Sequence, residues 1–322
     1  MLKINRIFSD NVKMRGASEQ LSADPDKLSF SQKNCLLRLI SFFLPVQKKF
    51  AREVFVAKRK NKVLAKLALT PDSFSKSRWQ FTSLMFKEKH KQIAKTLIDY
   101  VVNYYGGAGA STFLAYVDET NPQMISVLKN ECLFRNCAKI EFLTLENLAS
   151  LNIEYDLNDF RDVNVKDSEE LLEINTSNIF THYRPALISD LGEFKLNKSH
   201  NNIFKVFAPK GNIAGYFRLC SNNKKDFYLD VITSKPYEQC YLEMLGCIKD
   251  IVLEQNNEAS LTVYLKKYRQ TAGKLKEVLE ELGFNFSSST QILVKDYWQR
   301  IPVKNEMEEK LFVLFNDIKG MV

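Results

Sequence analysis

Phe113-Leu114-Ala115-Tyr116-Val117 and Leu261-Thr262-Val263-Tyr264-Leu265 are short apolar, β-branched and aromatic runs of the kind that form buried strands, and they stand 148 residues apart. Each is preceded by an amphipathic helix. In the first, from Glu88 to Tyr105, Ile93, Leu97, Val101 and Tyr104 recur at helical spacing and Gly106-Gly107 stops the run. In the second, the pattern spans Glu238 to Glu254 at nearly the same offset.

Working outward, the strand patterns Val54–Arg59, Val63–Thr70 (joined by a turn at Asn61-Lys62) and Trp79–Phe86 lead into the first helix. The second is preceded by Ile203–Ala208, Ile213–Cys220 (around a turn at Lys210-Gly211-Asn212) and Phe227–Thr233. After each buried strand come a helix, 121–131 or 271–282, and a closing strand, 139–145 or 291–296. A further helix is expected from Ser31 to Phe43. The chain is therefore expected to hold two copies of one α/β unit, residues 1–150 and 151–300. The acidic stretch from Glu146 to Glu173 is taken as the boundary plus the first strand and helix of the second copy. Residues 301–322 are expected to form a separate amphipathic helix, capped by Asn305 and striped by Met307, Leu311, Leu314, Phe315 and Ile318. It packs on the pair of copies or makes a homodimer contact.

Composition agrees with two domains. The 322 residues are 45% hydrophobic and 26% charged, enough for ordinary cores, and the net charge of +8 is modest. The densest basic zone, Lys48 to Lys66, alternates with apolar strand residues, which suits solvated strand edges, with a phosphate-bearing partner as the other reading; no nucleic-acid partner is expected. The longest apolar stretch ends at Pro45, too short to span a membrane. Six cysteines without CxxC or metal-ligand spacing point to reduced thiols, a cytoplasmic protein and no metal.

Hairpin, strand, long helix, strand, helix, strand is the order of the GNAT N-acetyltransferase superfamily, which each copy resembles over nearly its full length. The resemblance implies two tandem GNAT-like domains of α/β (α+β) class, each a mixed, mostly antiparallel sheet flanked by helices. It also implies acetyl-CoA or another acyl-CoA as co-substrate, held where the third and fourth strands part. In the family an Arg/Gln-x-x-Gly-x-Gly/Ala motif opens the long helix and cradles pyrophosphate on backbone N–H groups and the helix dipole. Here it falls on Lys89-His90-Lys91-Gln92-Ile93-Ala94, which makes Lys89, Lys91, Gln92, Ile93 and Ala94 candidate cofactor contacts. Gln92 departs from the family's glycine. Asn121 stands at the family's pantetheine-contacting Asn and is equally a helix N-cap before Pro122; its counterpart in the second copy is taken as Ala272. The second copy reads Pro236-Tyr237-Glu238-Gln239-Cys240-Tyr241, with no glycine, a bulky Tyr241 and an acidic Glu238.

The family's chemistry, transfer of acyl from thioester to amine, needs a proton acceptor and often a tyrosine acid. The tyrosine position holds Leu128 and Leu279. The candidate catalytic carboxylates are Asp118, at the end of the fourth strand, and Asp230, inside the third strand of the second copy. Tyr116 and Tyr264 occupy matching strand sites and suit core packing. The expectation is an acyl-CoA-dependent N-acyltransferase, with cofactor in the first copy and a small-molecule or peptide amine as acceptor. The alternative is a catalytically inactive GNAT-fold binding or scaffold protein. A third possibility, a FemABX-like aminoacyl transferase, lacks the coiled-coil arm of that group.

Overall fold

The strands alternate with helices in the same order twice, and the structure, a computed structural model, describes residues 2–7, 18–19, 21, 52–60, 62–72, 75–188, 202–221 and 223–298. The expected helix 31–43, turn residue Asn61 and the amphipathic segment 301–322 lie outside the described residues.

β1 (Leu2–Ile7) pairs antiparallel with β3 (Glu53–Arg59), while β2 (Ser18–Glu19) lies elsewhere; β3 continues into β4 (Lys62–Pro71) and β5 (Arg78–Phe86) as an antiparallel meander. α1 (Lys91–Gly106) follows. Its buried face is Ala94, Leu97, Ile98, Val101, Val102 and Tyr105. Tyr104, expected on that face, is half exposed; the residue one turn beyond Val101 is Tyr105, and it takes the inward place. Gly106 still belongs to the helix, and the chain turns away at Gly109, whose φ of +101° suits glycine.

β6 (Thr112–Asp118) runs parallel to β5, α2 (Pro122–Ser126) continues as a π-helical turn over Val127–Glu131, and β7 (Arg135–Leu145) closes the first copy. The second copy comprises β8 (Phe160–Asp162), α3 (Ser168–Asn178), α4 (Arg184–Leu187), β9 (Asn202–Phe207), β10 (Gly215–Ser221), β11 (Asp226–Thr233), α5 (Tyr241–Gln255), β12 (Ser260–Lys266), α6 (Ala272–Glu281) and β13 (Asn285–Asp296). This is a mixed α/β chain with a mostly antiparallel sheet flanked by helices. Only the β5–β6 and β11–β12 pairings are parallel among the described residues.

The described strands form one sheet, in the order β1-β3-β4-β5-β6-β13-β7-β12-β11-β10-β9-β8, with β2 attached to β5. The two closing strands are exchanged. β13 lies between β6 and β7, and β7 pairs with β12. Each fourth strand thus has its open edge covered by the other copy's last strand, which leaves no bare edge at the join. The exchange also explains why β7 and β13 start earlier than their apolar patterns suggest. Asn285-Phe286-Ser287-Ser288-Ser289-Thr290 has no strand alternation of its own and is held by pairing to β7.

One apolar cluster lies between α1, α2 and the first copy's strands, and a second between α5, α6 and the other copy's. A third, with Leu114, Tyr116, Ile140, Tyr264, Ile292 and Val294, joins strands of both copies on the opposite sheet face. Tyr116 and Tyr264 are both buried there, and burying a side chain of that size contributes roughly 1.5–3 kcal/mol. Lys66, expected at a solvated strand edge, is instead 5% exposed within β4.

Candidate functional site

In the first copy, β5 and β6 pair from Arg78↔Thr112 to Phe81↔Ala115 and no further, although β5 runs on to Phe86 and β6 to Asp118. An irregularity marks the same point on the other side of β5. Against β4, Leu69 opposes Phe81 while Ala68 opposes Ser83, so Thr82 is an extra residue, a β-bulge. A bulge bends and twists its strand. β5 follows β4 beyond this point, whereas β6 stays paired with β13 as far as Asp118↔Thr290. The sheet therefore opens between residues 82–86 and 116–118.

The long helix starts at this opening. A 3₁₀ turn, Glu88–His90, leads from β5 into α1, whose first turn holds no acidic residue and whose N-cap, His90, makes no side-chain capping bond. Lys89 is exposed and Lys91 half-buried, so positive side chains crowd the positive end of the dipole. Gln92 turns its side chain away: Nε2 donates to Glu131 Oε2 at 3.1 Å. Ile93 packs partly against the core, and Ala94 is fully buried, so only their backbone can face a ligand.

Asp118 ends β6 at the mouth of the same opening. Its Oδ1 accepts from the Thr120 N–H at 2.8 Å and Oγ1 at 2.7 Å. Asn121 Oδ1 accepts from the Met124 N–H at 3.1 Å with Pro122 next in line, an ordinary N-cap. The cap of the equivalent helix α6 is Thr271, one residue before the Ala272 taken as its counterpart. Leu128 and Leu279, at the tyrosine position, are both fully buried.

Sequence reasoning passed over Glu119. Its carboxylate sits 2.8 Å from Lys139 Nζ, accepts from Gln291 Nε2 at 3.0 Å and is bonded by the Ser289 hydroxyl. Lys139, then Ser289 and Gln291, hold it down to about 2. It is a fixed anion that ties the first copy to the exchanged strand. Its partners lie up to 172 residues away, so no local signal marks it.

In the second copy, β11 and β12 also pair for four positions, Asp226↔Ser260 to Leu229↔Val263, and then part. No bulge occurs, because β10 and β11 stay in register from Gly215↔Thr233 to Ser221↔Phe227. Phe81 corresponds to Leu229 and Ala94 to Tyr241, so the offset between copies drops from 148 to 147 across Thr82.

This second opening is filled by the protein itself. Asp230 binds Lys266 Nζ at 2.9 Å and Arg269 Nη1 at 2.7 Å, all three being about 95% buried. Burial pushes the Asp230 carboxyl up, but Arg269 and Lys266 outweigh it and keep the group below the usual carboxylate range. Such a carboxylate anchors the strand ends and is a poor proton acceptor. Beyond it, the Asn178 amide links the end of β11 to the start of α6: Nδ2 donates to Thr233 O at 2.5 Å, while Oδ1 accepts from Thr271 N at 3.2 Å and Oγ1 at 3.0 Å. Tyr241, at the family's small position, is fully buried with its hydroxyl 2.7 Å from Thr271 Oγ1.

The described cysteines are free thiols. Burial pushes Cys132 up to about 12 and Cys137 and Cys247 to about 11, which disfavours the thiolate. Among the described residues no group of three or more His, Cys, Asp or Glu is arranged to hold a metal, and no helix is long and apolar enough to cross a membrane.

Comparison with solved structures identifies the architecture. A tandem GNAT protein from the clavulanic acid biosynthesis pathway matches over 77% of this chain and 83% of its own, with a TM-score of 0.51 at 10% identity. A GCN5-related N-acetyltransferase from Sphaerobacter thermophilus matches over 76% and 80%, with a TM-score of 0.51 at 10% identity. A probable N-acyltransferase from Enterococcus faecalis V583 matches over 87% and 72%, with a TM-score of 0.51 at 7% identity. No family model and no curated protein matches the sequence. At these identities the likeness is one of fold, and the fold is that of a tandem GNAT protein.

Proposed function

We propose that this tandem GNAT fold serves an acyl-CoA-dependent N-acyltransferase, most simply an N-acetyltransferase, with a single cofactor site in the first copy. The observation that supports this reading best is the difference between the two openings. The first carries the Thr82 bulge where its strands part and faces a helix start carrying Lys89 and Lys91 with no acid in its first turn. The second carries Glu243 in that turn and is crossed by the Asp230 and Asn178 networks.

In this reading the pyrophosphate lies at the start of α1, where Lys89, Lys91 and the helix N-terminus supply positive charge. The pantetheine arm follows the β5 edge beyond Phe81, and the thioester lies near the bulge. The acceptor is a small-molecule or peptide amine. Its nitrogen attacks the thioester carbonyl, the thiolate leaves, and the amine proton passes to Asp118 or to a water that it holds. Asn121 keeps its capping bond and contributes through its position.

Isothermal titration with acetyl-CoA tests the reading. The expected stoichiometry is close to one per chain, because the second opening is sealed; no heat at millimolar ligand would sink the proposal. A deletion of Thr82 gives a second check. It brings β5 into the uninterrupted register that β11 has, removes the extra bend at the point where β5 leaves β6, and is expected to weaken acetyl-CoA binding at least tenfold while the protein stays folded. Unchanged affinity would show that the bulge does not make the site.

The catalytically inactive alternative is favoured by one observation, the sealed second opening, and applies to that copy. Its contribution is then architectural: it supplies β13, which holds β6 in place while β5 diverges.

A further inference from the structure

A strand has two hydrogen-bonding edges. One edge of β5 is taken by β4 along its length, from Pro71↔Trp79 to Ala65↔Phe86. The other is taken by β6 as far as Phe81. Yet Met85 and Phe86 also pair antiparallel with Glu19 and Ser18 of β2. With the β4 edge occupied at both residues, β2 must lie on the β6 side, inside the opening of the first copy. Leu21, two residues on, is 7% exposed and belongs to the same apolar cluster as Leu84, Phe86, Ala94 and Leu97.

We propose that β2 and Leu21 form a displaceable strap on the open edge of β5, so that acyl-CoA binding in the first copy requires their release. The proposal rests on the acyl-CoA reading above. The pantetheine arm is a chain of two amides, and an amide laid along β5 beyond Phe81 needs the same backbone groups that β2 uses. The two occupants exclude each other.

The second copy shows what a permanent plug looks like. There the Asn178 amide is bonded to the end of β11 and to the start of α6, and Tyr241 and Thr271 complete a buried network. The strap has two rungs of pairing and one anchoring leucine, a contact that a ligand can displace. A protein whose strap is docked nine-tenths of the time binds ligand about tenfold more weakly than its open form.

The double variant Ser18→Pro/Glu19→Pro removes both strand N–H groups and disfavours pairing. Two readouts on the full chain decide the matter. Without ligand, amide hydrogen exchange in residues 83–86 should speed up at least tenfold over the parent protein. Acetyl-CoA should bind about tenfold more tightly by titration. Unchanged exchange means β2 does not dock on β5, and unchanged or weaker affinity means it does not compete; either overturns the strap. If neither protein takes up acetyl-CoA, coupling to the cofactor is refuted together with the acyl-CoA reading, while the exchange data still report whether the strap docks. A Glu19→Cys/Met85→Cys lock serves as the converse, since directly opposed residues lie within disulfide reach. The oxidised form should lose acetyl-CoA binding and regain it on reduction. Full binding by the locked protein would also overturn the proposal.

Discussion

Replacing Asp230 by Asn is expected to cost about 3–5 kcal/mol of stability, the usual result of removing one partner from a buried ion pair. Lys266 and Arg269 would both remain buried without a counter-charge, at the point where β11 and β12 part. The melting temperature should fall by on the order of 10 °C in a chain of this size. The pH dependence carries a further signature. The folded carboxyl lies below its unfolded value of about 3.9, so its contribution is complete above that value and is lost as pH falls through the lower folded one. Thermal melts taken from about pH 5 down to about pH 2 should therefore show a steeper acid decline for the parent than for Asp230→Asn. If the variant melts like the parent and loses acyl transfer, Asp230 is a proton acceptor and the structural role is wrong.

Reversing Lys89 and Lys91 together, Lys89→Glu/Lys91→Glu, should weaken acetyl-CoA binding by roughly a hundredfold or more. A charge-assisted hydrogen bond is worth about 1.5–3 kcal/mol, each 1.4 kcal/mol is tenfold in affinity, and a glutamate adds repulsion. Stability should move the other way. Acidic residues at a helix start gain about 0.3–1 kcal/mol from the dipole, so the variant should melt at or slightly above the parent temperature. Titration at two salt concentrations sharpens the test, because exposed charges are screened and only the parent should lose much affinity at high salt. Affinity within twofold of the parent would remove the pyrophosphate from the start of α1. Both helix starts hold the same position in the repeat, but the Asp230 and Asn178 networks fill the second opening, so Glu238→Lys in the second copy should create no site.

Much of this site is local chemistry. The helix start at Lys89 to Ala94 is legible because it is defined by its neighbours in sequence, and the bulk of Tyr241 at the matching position already sets the second copy apart. The bulge left a faint trace too, as the one-residue drop in offset between the strands and the helices that follow. Tyr104 is placed differently because a stripe at three- and four-residue spacing admits either Tyr104 or Tyr105, and packing against Trp79 selects Tyr105.

The partners of Asp230 and Glu119 are another matter. Lys266 and Arg269 follow Asp230 by 36 and 39 residues, and Ser289 follows Glu119 by 170. An isolated Asp in an apolar strand is compatible with catalysis or with a buried ion pair, and its neighbours in space decide between them. Segment type, repeat and the asymmetry of the two helix starts follow from periodicity, capping and charge, which act within a few residues. Exchange of β7 and β13, docking of β2 on β5 and closure of the second opening follow from edge pairing and desolvated charge. Those forces depend on which backbone edges and ions meet once the chain has folded, and separation along the chain does not encode that meeting.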